Sequence, residues 1–392
     1  MHSRMLLIIF GISFLVIISS CDRLDVGSSG KVSKEITESG WAGFKAIFID
    51  ASGKVNRIKD GDVVSEGQAY AMLRAAWMDD KACFDKCYSW TEDNLSRVKT
   101  KGDNLLAWRW KDGEVNDWMS ASDADVDYAL SLIFADCRWS GGNLAGVEDY
   151  GGKAKAVLSD ILNKETFRTS SGRLYLGPWV TDDKNSNSYA LNPSYYSPAH
   201  FRIFYEYTKD KRWLELVDTS YYMLNKVTKK LGEVKGVGLV PDWCSVDNFD
   251  NFDKLEGRNS GFGYEALRLP FRVALDYYWF DSDEAKRFLV SFSRFLNNQM
   301  ELSGAIYCEY DYSGKAVKVY EGPAFYGCYY FPMKADSSKY AQFAIEATRK
   351  YIKRSDDGLY YQSKDEYYSN CLSWLADGYE SGYIKNIADK DK

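Results

Sequence analysis

The chain has 392 residues, of which 45% are hydrophobic and 16% aromatic, and its formal net charge is −6. This length allows a large buried core, and the negative charge offers no basic field of the kind that binds nucleic acid. Because the only histidines are His2 and His200, a histidine-based triad or a multi-histidine metal site is almost excluded. We therefore expect any hydrolytic chemistry to depend on carboxylates, without a metal or a cofactor.

The N-terminal segment has the features of a signal peptide. Arg4 precedes an apolar run at residues 5–18, and two small serines then lead to Cys21. The run is too short to span a bilayer comfortably. Residues 16–21, Val-Ile-Ile-Ser-Ser-Cys, resemble a bacterial lipobox, which implies cleavage before Cys21 and acylation of that residue. Ordinary secretion is the alternative, but we expect an exported protein that is lipid-anchored to a bacterial membrane, on its periplasmic or cell-surface face.

The remaining chain predicts a tether and one large domain. Residues 21–33 contain the stretch Gly-Ser-Ser-Gly at 27–30 and are expected to form a flexible tether. No linker interrupts the rest, so residues 34–392 are predicted to form one domain, and we expect it to act as a monomer. If Cys21 is acylated, seven cysteines remain, and at least one is then unpaired or paired between chains.

Helical periodicity continues through nearly all of the predicted domain. Twelve helices are predicted, at residues 34–49, 66–79, 80–97, 123–139, 147–164, 198–208, 210–230, 265–279, 282–301, 322–333, 337–354 and 367–380. Amphipathic helices alternate with more apolar ones, which predicts two concentric rings of six. Short strands are expected around residues 172–180 and 306–319. Most of the aromatic side chains should fill this core, and an aromatic cleft that stacks on sugar rings is the functional alternative.

Four of these helices begin with residues that carry chemistry. Ser-Glu-Gly-Gln at 65–68 reads as a capping box, with the serine as N-cap and Gln68 at the third helical position. Ser-Asp-Ala-Asp at 122–125 opens another helix, and Ser-Pro at 197–198 opens a third. Gly-Tyr-Glu-Ala at 263–266 precedes a fourth. If these helices form the inner ring, Glu66, Asp123, Tyr195 and Glu265 converge on one cleft.

Paired carboxylates at such a cleft can hydrolyse a glycosidic bond. One carboxyl must be protonated to donate to the leaving oxygen, and a second must be ionised to activate water. The N-terminal end of a helix lowers the pKa of a carboxyl, so an acid role for Glu66 requires aromatic burial or a nearby anion such as Asp123. The alternative is that both are simply helix-start carboxylates.

Five segments form an ordered set of motifs, at residues 65–72 (SEGQAYAM), 121–125 (ASDAD), 192–195 (NPSY), 239–243 (LVPDW) and 264–268 (YEALR). Together they resemble glycoside hydrolase family 8, which is also called cellulase family D and includes bacterial endoglucanases. The resemblance implies an all-α (α/α)6 barrel of six inner and six outer helices with short β segments in the loops. It also implies that residues 34–392 are a catalytic domain that inverts the anomeric carbon.

The resemblance assigns catalytic roles to three carboxylates. Glu66 would be the general acid, and Asp123 would hold and distort the sugar at the cleavage subsite. Glu265 stands where many members have the aspartate that serves as general base. Its side chain is one methylene longer, so a shift of backbone or rotamer would have to absorb the difference. If Glu265 only binds ligand or stabilises the fold, the base would be Asp242 or Asp247.

The resemblance also implies substrate-binding residues. Tyr195 would help to position the water, and Arg268 would pair with nearby carboxylates or with the sugar. Trp108 matches an aromatic residue that stacks on the glycan, although packing in the core is the alternative. Gln68, within the first motif, is predicted to bind substrate as well.

These implications predict an inverting, endo-acting hydrolase of β-1,4-glucan, either cellulose-like or mixed-linkage. A xylanase, oligoxylanase or chitosanase of the same family is an alternative. A tethered glycan-binding lipoprotein that kept the cleft but lost turnover is another, and it is motivated by the glutamate at position 265. The expected partners are a polysaccharide and the membrane, with no nucleic acid.

Overall fold

A computed structural model describes residues 26–139, 149–181 and 186–389. The predicted signal peptide at 1–20 and the predicted acylation site at Cys21 lie outside these ranges. The flexible tether predicted for residues 21–33 differs from the structure, because helix α1 begins at Val26. The Gly/Ser composition misled here, since Ser33 is buried and accepts a hydrogen bond from Arg349 Nη2 at 2.9 Å. This end of the helix is therefore docked on the domain.

Helices dominate the described residues. Their bounds are α1 Val26–Phe48, α2 Ser65–Trp77, α3 Lys81–Asn94, α4 Val98–Lys101, α5 Ser122–Trp139, α6 Tyr150–Asp160, α7 Pro198–Thr208, α8 Arg212–Val227, α9 Leu269–Phe280, α10 Asp283–Ser303, α11 Pro323–Ala335, α12 Ala341–Arg349, α13 Tyr367–Leu372 and α14 Leu375–Glu380. A π-helical segment, Ile161–Glu165, extends α6, and 3-10 turns span Pro193–Tyr195 and Ala266–Arg268.

The helices form two rings. In the inner ring α2, α5, α7, α9, α11 and α13 each contact the next, and α13 contacts α2, which closes the ring. Inner helices are buried on nearly all sides: in α5 every residue from Ser122 to Ala135 is buried. Outer helices bury one stripe, as α10 does with residues spaced three or four apart. The predicted (α/α)6 barrel is confirmed.

The last inner helix is interrupted, although the periodicity predicts one continuous helix over 367–380. Ser373 lies between α13 and α14, and its hydroxyl donates to Ser369 O at 2.6 Å. A serine that bonds back to its own helix in this way often bends it. The helix predicted at 337–354 is also shorter than expected, since α12 ends at Arg349. The chain from Ile352 onward forms a strand, in which Ile352 pairs with Tyr361.

Short antiparallel strands connect the helices. They are β1 Val63–Val64, β2 Arg109–Lys111, β3 Glu114–Asp117, β4 Thr166–Arg168, β5 Leu174–Leu176, β6 Ser188–Leu191, β7 Lys230–Leu231, β8 Val234–Lys235, β9 Cys244–Asp247, β10 Phe252–Asp253, β11 Glu309–Tyr310, β12 Ala316–Lys318, β13 Ile352–Ser355 and β14 Gly358–Tyr361. The strands predicted near 172–180 and 306–319 are confirmed. The largest sheets have three strands, in the orders β1-β2-β3 and β10-β9-β6.

An antiparallel turn precedes every inner helix. Five of these turns are the hairpins β2-β3, β4-β5, β7-β8, β11-β12 and β13-β14, and the sixth is the bridge between Ile49 and Val55. Each turn carries a glycine with positive φ, a conformation that side chains disfavour. These glycines are Gly53, Gly113, Gly172, Gly232, Gly314 and Gly358. All six turns therefore lie at the end of the barrel where the inner helices begin.

Among the described residues, no helix combines the length and the apolar character that crossing a membrane requires.

Candidate active site

The four residues expected to converge do lie together. Glu66 is the second residue of α2, and Asp123 is the second residue of α5. Tyr195 ends the 3-10 turn before α7, and Glu265 precedes the 3-10 turn that leads into α9. All four thus occupy the starts of inner helices, at the end of the barrel that carries the six turns.

Arg268 lies at the centre of this group, with its side chain 4% exposed. Its Nη1 donates to Glu66 Oε1 at 2.5 Å and to Asp123 Oδ2 at 2.7 Å. Its Nη2 donates to Glu265 Oε2 and, at 2.9 Å, to Ser194 Oγ. One buried guanidinium therefore orients three carboxylates, which is a task suited to its planar set of donors.

The environment of Glu66 favours a protonated carboxyl. Burial raises the pKa of Glu66 to about 7, and the negative charges of Asp123 and Glu265 act in the same direction, while Arg268 opposes them. Desolvation and neighbouring anions therefore outweigh the helix N-terminus. Oε1 accepts hydrogen bonds from both Arg268 and Tyr70, whose hydroxyl is 3.3 Å away. Within the described residues Oε2 has no such bond, so it is the oxygen available to hold the proton.

Glu265 is the most exposed of the three carboxylates, with 35% of its side chain accessible. Its Oε2 also accepts from Asn192 Nδ2 at 2.9 Å. Asn192 is itself fixed, because its Oδ1 accepts from the backbone N–H and the hydroxyl of Ser194. The extra methylene of Glu265 is thus accommodated by two fixed donors, on Arg268 and Asn192.

The other two acidic candidates are occupied elsewhere. Asp242 is buried, and its Oδ1 accepts from the backbone N–H groups of Gly263 at 2.9 Å and Ala266 at 2.8 Å. It therefore fastens the segment that carries Glu265, and burial raises the pKa of Asp242 to about 6. Asp247 is the last residue of β9, and its Oδ1 accepts from the N–H groups of Phe249 and Asn251 in the turn that follows.

Aromatic rings continue from the carboxylate cluster. The ring of Tyr195 lies 5.2 Å from Arg268 Cζ, and burial raises the pKa of its hydroxyl well above 10, so that it stays neutral. Ring centroids are 6.0 Å apart between Tyr195 and Trp243 and 6.1 Å apart between Trp243 and Trp179. Trp108 is 37% exposed, and its backbone carbonyl accepts from Ser65 N at the start of α2.

Two cavities adjoin this series. One, of about 550 Å³, is lined by Glu66, Glu265 and Arg268 and by the rings of Tyr264 and Tyr368. The second, of about 980 Å³, is lined mainly by polar and charged residues, with Trp179 among its few aromatic ones. A chain of ring contacts therefore leads from the carboxylates in the first cavity to the wall of the second. Such a row of rings suits a linear sugar polymer.

The prediction that Gln68 binds substrate is wrong. Gln68 is fully buried, its Oε1 accepts from Val55 N at 2.6 Å, and its Nε2 donates to Gly53 O, Cys87 O and Thr91 Oγ1. It holds the first antiparallel turn against α3. The capping box also fails, because Ser65 lies inside α2 and its hydroxyl has no hydrogen-bond partner among the described residues.

Several cleft residues received no role from the sequence. Asn192, Ser194 and Trp243 belong to motifs that were recognised, but spacing alone gives no indication of which side chains reach Arg268. Tyr70 also belongs to a recognised motif, four residues after Glu66. That helical spacing places both side chains on one face and could have identified it.

Comparison with known proteins shows which proteins this chain resembles. The family model for "Glycosyl hydrolases family 8" matches residues 26–382. Endoglucanase A of Acetivibrio thermocellus is 30% identical over 364 residues, which cover 90% of this chain and 68% of that protein. Endoglucanase 2 of Ruminiclostridium josui is 29% identical, covering 91% of this chain and 70% of that protein. The solved structure of an endo-β-1,4-glucanase from Acetobacter xylinum superposes with a TM-score of 0.69 at 25% identity, covering 89% and 98% of the two chains.

Proposed function

This chain belongs to glycosyl hydrolase family 8, and from that membership we propose that it is an inverting, endo-acting hydrolase of β-1,4-linked glucan. The substrate assignment is supported by relatives named endoglucanases along most of the chain. The observation that carries the mechanism is the arrangement of three carboxylates on one buried arginine, in which Glu66 and Glu265 bind different guanidinium nitrogens.

Glu66 acts as the general acid. Arg268 and Tyr70 hold Oε1, so the proton on Oε2 faces the glycosidic oxygen and is transferred to it as the bond breaks. A pKa of about 7 keeps the acid protonated at neutral and mildly acidic pH while leaving it able to release the proton. Its conjugate base remains stabilised by Arg268.

Glu265 acts as the general base. Arg268 and Asn192 occupy its Oε2, which leaves Oε1 to accept a proton from water. The attack then takes place on the face opposite the leaving group, as inversion requires. Asp123 binds the sugar at the cleavage point and Tyr195 helps to place the water. Trp108 stacks on the glycan.

We further propose that residues 34–392 act as one catalytic domain on a lipid anchor at Cys21. The lipobox-like residues 16–21 support this location. Labelled palmitate should be incorporated into the full chain and not into Cys21→Ala, which should appear in the soluble fraction. Equal labelling of both proteins would refute the anchor.

The proposed activity is tested by product release from carboxymethyl-cellulose, lichenan, xylan and chitosan. Wild type and Glu66→Gln are compared, because the substitution removes the transferable proton and changes the side chain little. We expect wild type to release oligosaccharides from a glucan, and the variant to lose about 10²–10⁴-fold in kcat. Release from xylan or chitosan alone would reassign the substrate. Binding to a glucan without hydrolysis would instead identify a glycan-binding lipoprotein.

A further inference from the structure

Two fully buried carboxyl groups, those of Asp125 and Glu165, lie below the cleft and have no part in the proposed chemistry. Asp125 follows Asp123 by two residues on α5, and Glu165 ends the π-helical segment. The two carboxyls lie close enough to hydrogen-bond to each other. Because two ionised carboxylates repel, such a bond requires one of them to be protonated.

The other hydrogen bonds of the pair define which atoms face each other. Asp125 Oδ1 accepts from Leu106 N at 2.9 Å, and Glu165 Oε1 accepts from Ser120 Oγ at 2.6 Å. Asp125 Oδ2 and Glu165 Oε2 are buried and accept from no donor among the described residues. These two oxygens are therefore the ones available to share the proton.

The surrounding charges are balanced when the pair holds one proton. Arg97 and Lys164 both pair with Asp103, at 3.1 and 3.4 Å, which leaves one positive charge in excess. One ionised carboxylate balances that excess, whereas two would leave a buried negative charge without compensation. Tyr128 on α5 also interacts with Asp125, and it is neutral because burial raises its pKa. Burial likewise raises the pKa of Asp125 to about 8.

The pair joins three segments around the cleft to α5. Leu106 is two residues before Trp108, and Ser120 accepts from Val180 N, one residue after Trp179. The carbonyl of Met119, beside Ser120, accepts from Trp108 N. All of these segments therefore meet at the first turn of α5, which also holds Asp123 against Arg268.

We propose that Asp125 and Glu165, by sharing one proton, are positioning residues that hold Asp123 and the tryptophan-bearing segments of the cleft in the arrangement that hydrolysis needs. This inference rests on the proposed function. A neutral amide at position 165 can donate to Asp125 and still accept from Ser120, without a proton that titrates. Glutamine at position 165 should therefore preserve the positioning function, whereas alanine should not.

The first readout is kcat/KM on a glucan at pH 6. We expect kcat/KM to decrease roughly tenfold or more in Glu165→Ala, because the catalytic groups would be displaced. In Glu165→Gln it should stay within about threefold of the wild-type value. Asp276→Asn is the matched control, because Asp276 is equally buried but lies toward the C-terminal end of α9, paired with Arg202. We expect it to lower stability and leave kcat/KM unchanged. A Glu165→Ala enzyme as active as wild type would overturn the proposal.

The second readout does not need activity. Near-ultraviolet circular dichroism of the tryptophans is recorded from pH 6 to pH 10, where loss of the shared proton should separate the two carboxylates. We expect a transition above pH 8 in wild type and in Asp276→Asn, and none in Glu165→Gln. The same transition in Glu165→Gln would overturn the proposal, even if Glu165→Ala does not fold. Absence of hydrolysis by wild type would refute the proposed function alone, because this spectroscopic test would still apply.

Discussion

Arg268 Nη1 lies 2.5 Å from Glu66 Oε1, yet Glu66 retains a raised pKa of about 7. An arginine this close would ordinarily favour the ionised carboxylate. Here the same guanidinium also serves Asp123 and Glu265, so its charge is divided among three carboxylates. Burial then dominates, and one residue holds the proposed acid in place without removing its proton.

The pH dependence of activity should follow the proton on Glu66. Because the acid form is required, kcat/KM should decrease as the pH rises through about 7. The same raised pKa predicts that Glu66 makes folding less favourable as the pH rises from 4.5 to about 7, since the native state binds the proton more tightly than the unfolded chain. Initial rates on soluble glucan across pH 4–9 provide the test. An alkaline limb near pH 4.5 would contradict it.

Removing Arg268 should destabilise the protein in a pH-dependent way. Arg268→Met leaves three carboxylates without their counter-ion, and we expect a loss of about 3–5 kcal/mol at pH 7. Acidification protonates Glu66, whose pKa is raised to about 7, so the deficit relative to wild type should shrink toward pH 5. Denaturant unfolding at the two pH values measures it. As a comparison, Arg287→Met removes an exposed ion pair with Glu284 and should cost about 0–1 kcal/mol.

The identity of the base can be decided by comparing two amide substitutions. Glu265→Gln removes the exposed carboxylate and should lower kcat by about 10²–10⁴-fold. Asp242→Asn keeps an oxygen for the N–H groups of Gly263 and Ala266, so it should lower kcat by roughly tenfold or less, by loosening the segment that carries Glu265. If Asp242→Asn were the more damaging substitution, the base would have to be reassigned.

Gln68 should affect stability and not turnover. Gln68→Ala leaves the buried N–H of Val55 and the groups on α3 without their partner, at a cost on the order of 3 kcal/mol. The remaining folded enzyme should keep the kcat of wild type. Trp108→Ala is the opposite case. Loss of this exposed ring should raise KM and change the stability little. A selective effect of Gln68→Ala on KM would instead identify Gln68 as a substrate-binding residue.

The sequence was sufficient to predict the barrel and the convergence of its carboxylates. Twelve periodic segments match the twelve ring positions, and the acidic motifs at helix starts predicted which end carries the site. Four of the six antiparallel turns lie wholly outside the two predicted strand regions, because their strands are too short for alternation to appear, although glycines such as Gly53 and Gly113 mark them. The misassignment of Gln68 has a similar cause. A polar residue in a motif can equally well satisfy buried backbone groups, and only the packing of Val55 and Thr91 distinguishes the two roles.

The most direct test of the central claim is the configuration of the newborn sugar. Proton NMR is recorded during the first minutes of glucan hydrolysis, before mutarotation mixes the anomers. An acid at Glu66 and a base at Glu265 that acts through water predict that the α-anomer appears first and the β-anomer only later. Appearance of the β-anomer first would mean retention of configuration and would contradict the proposed role of Glu265 as a general base that activates water.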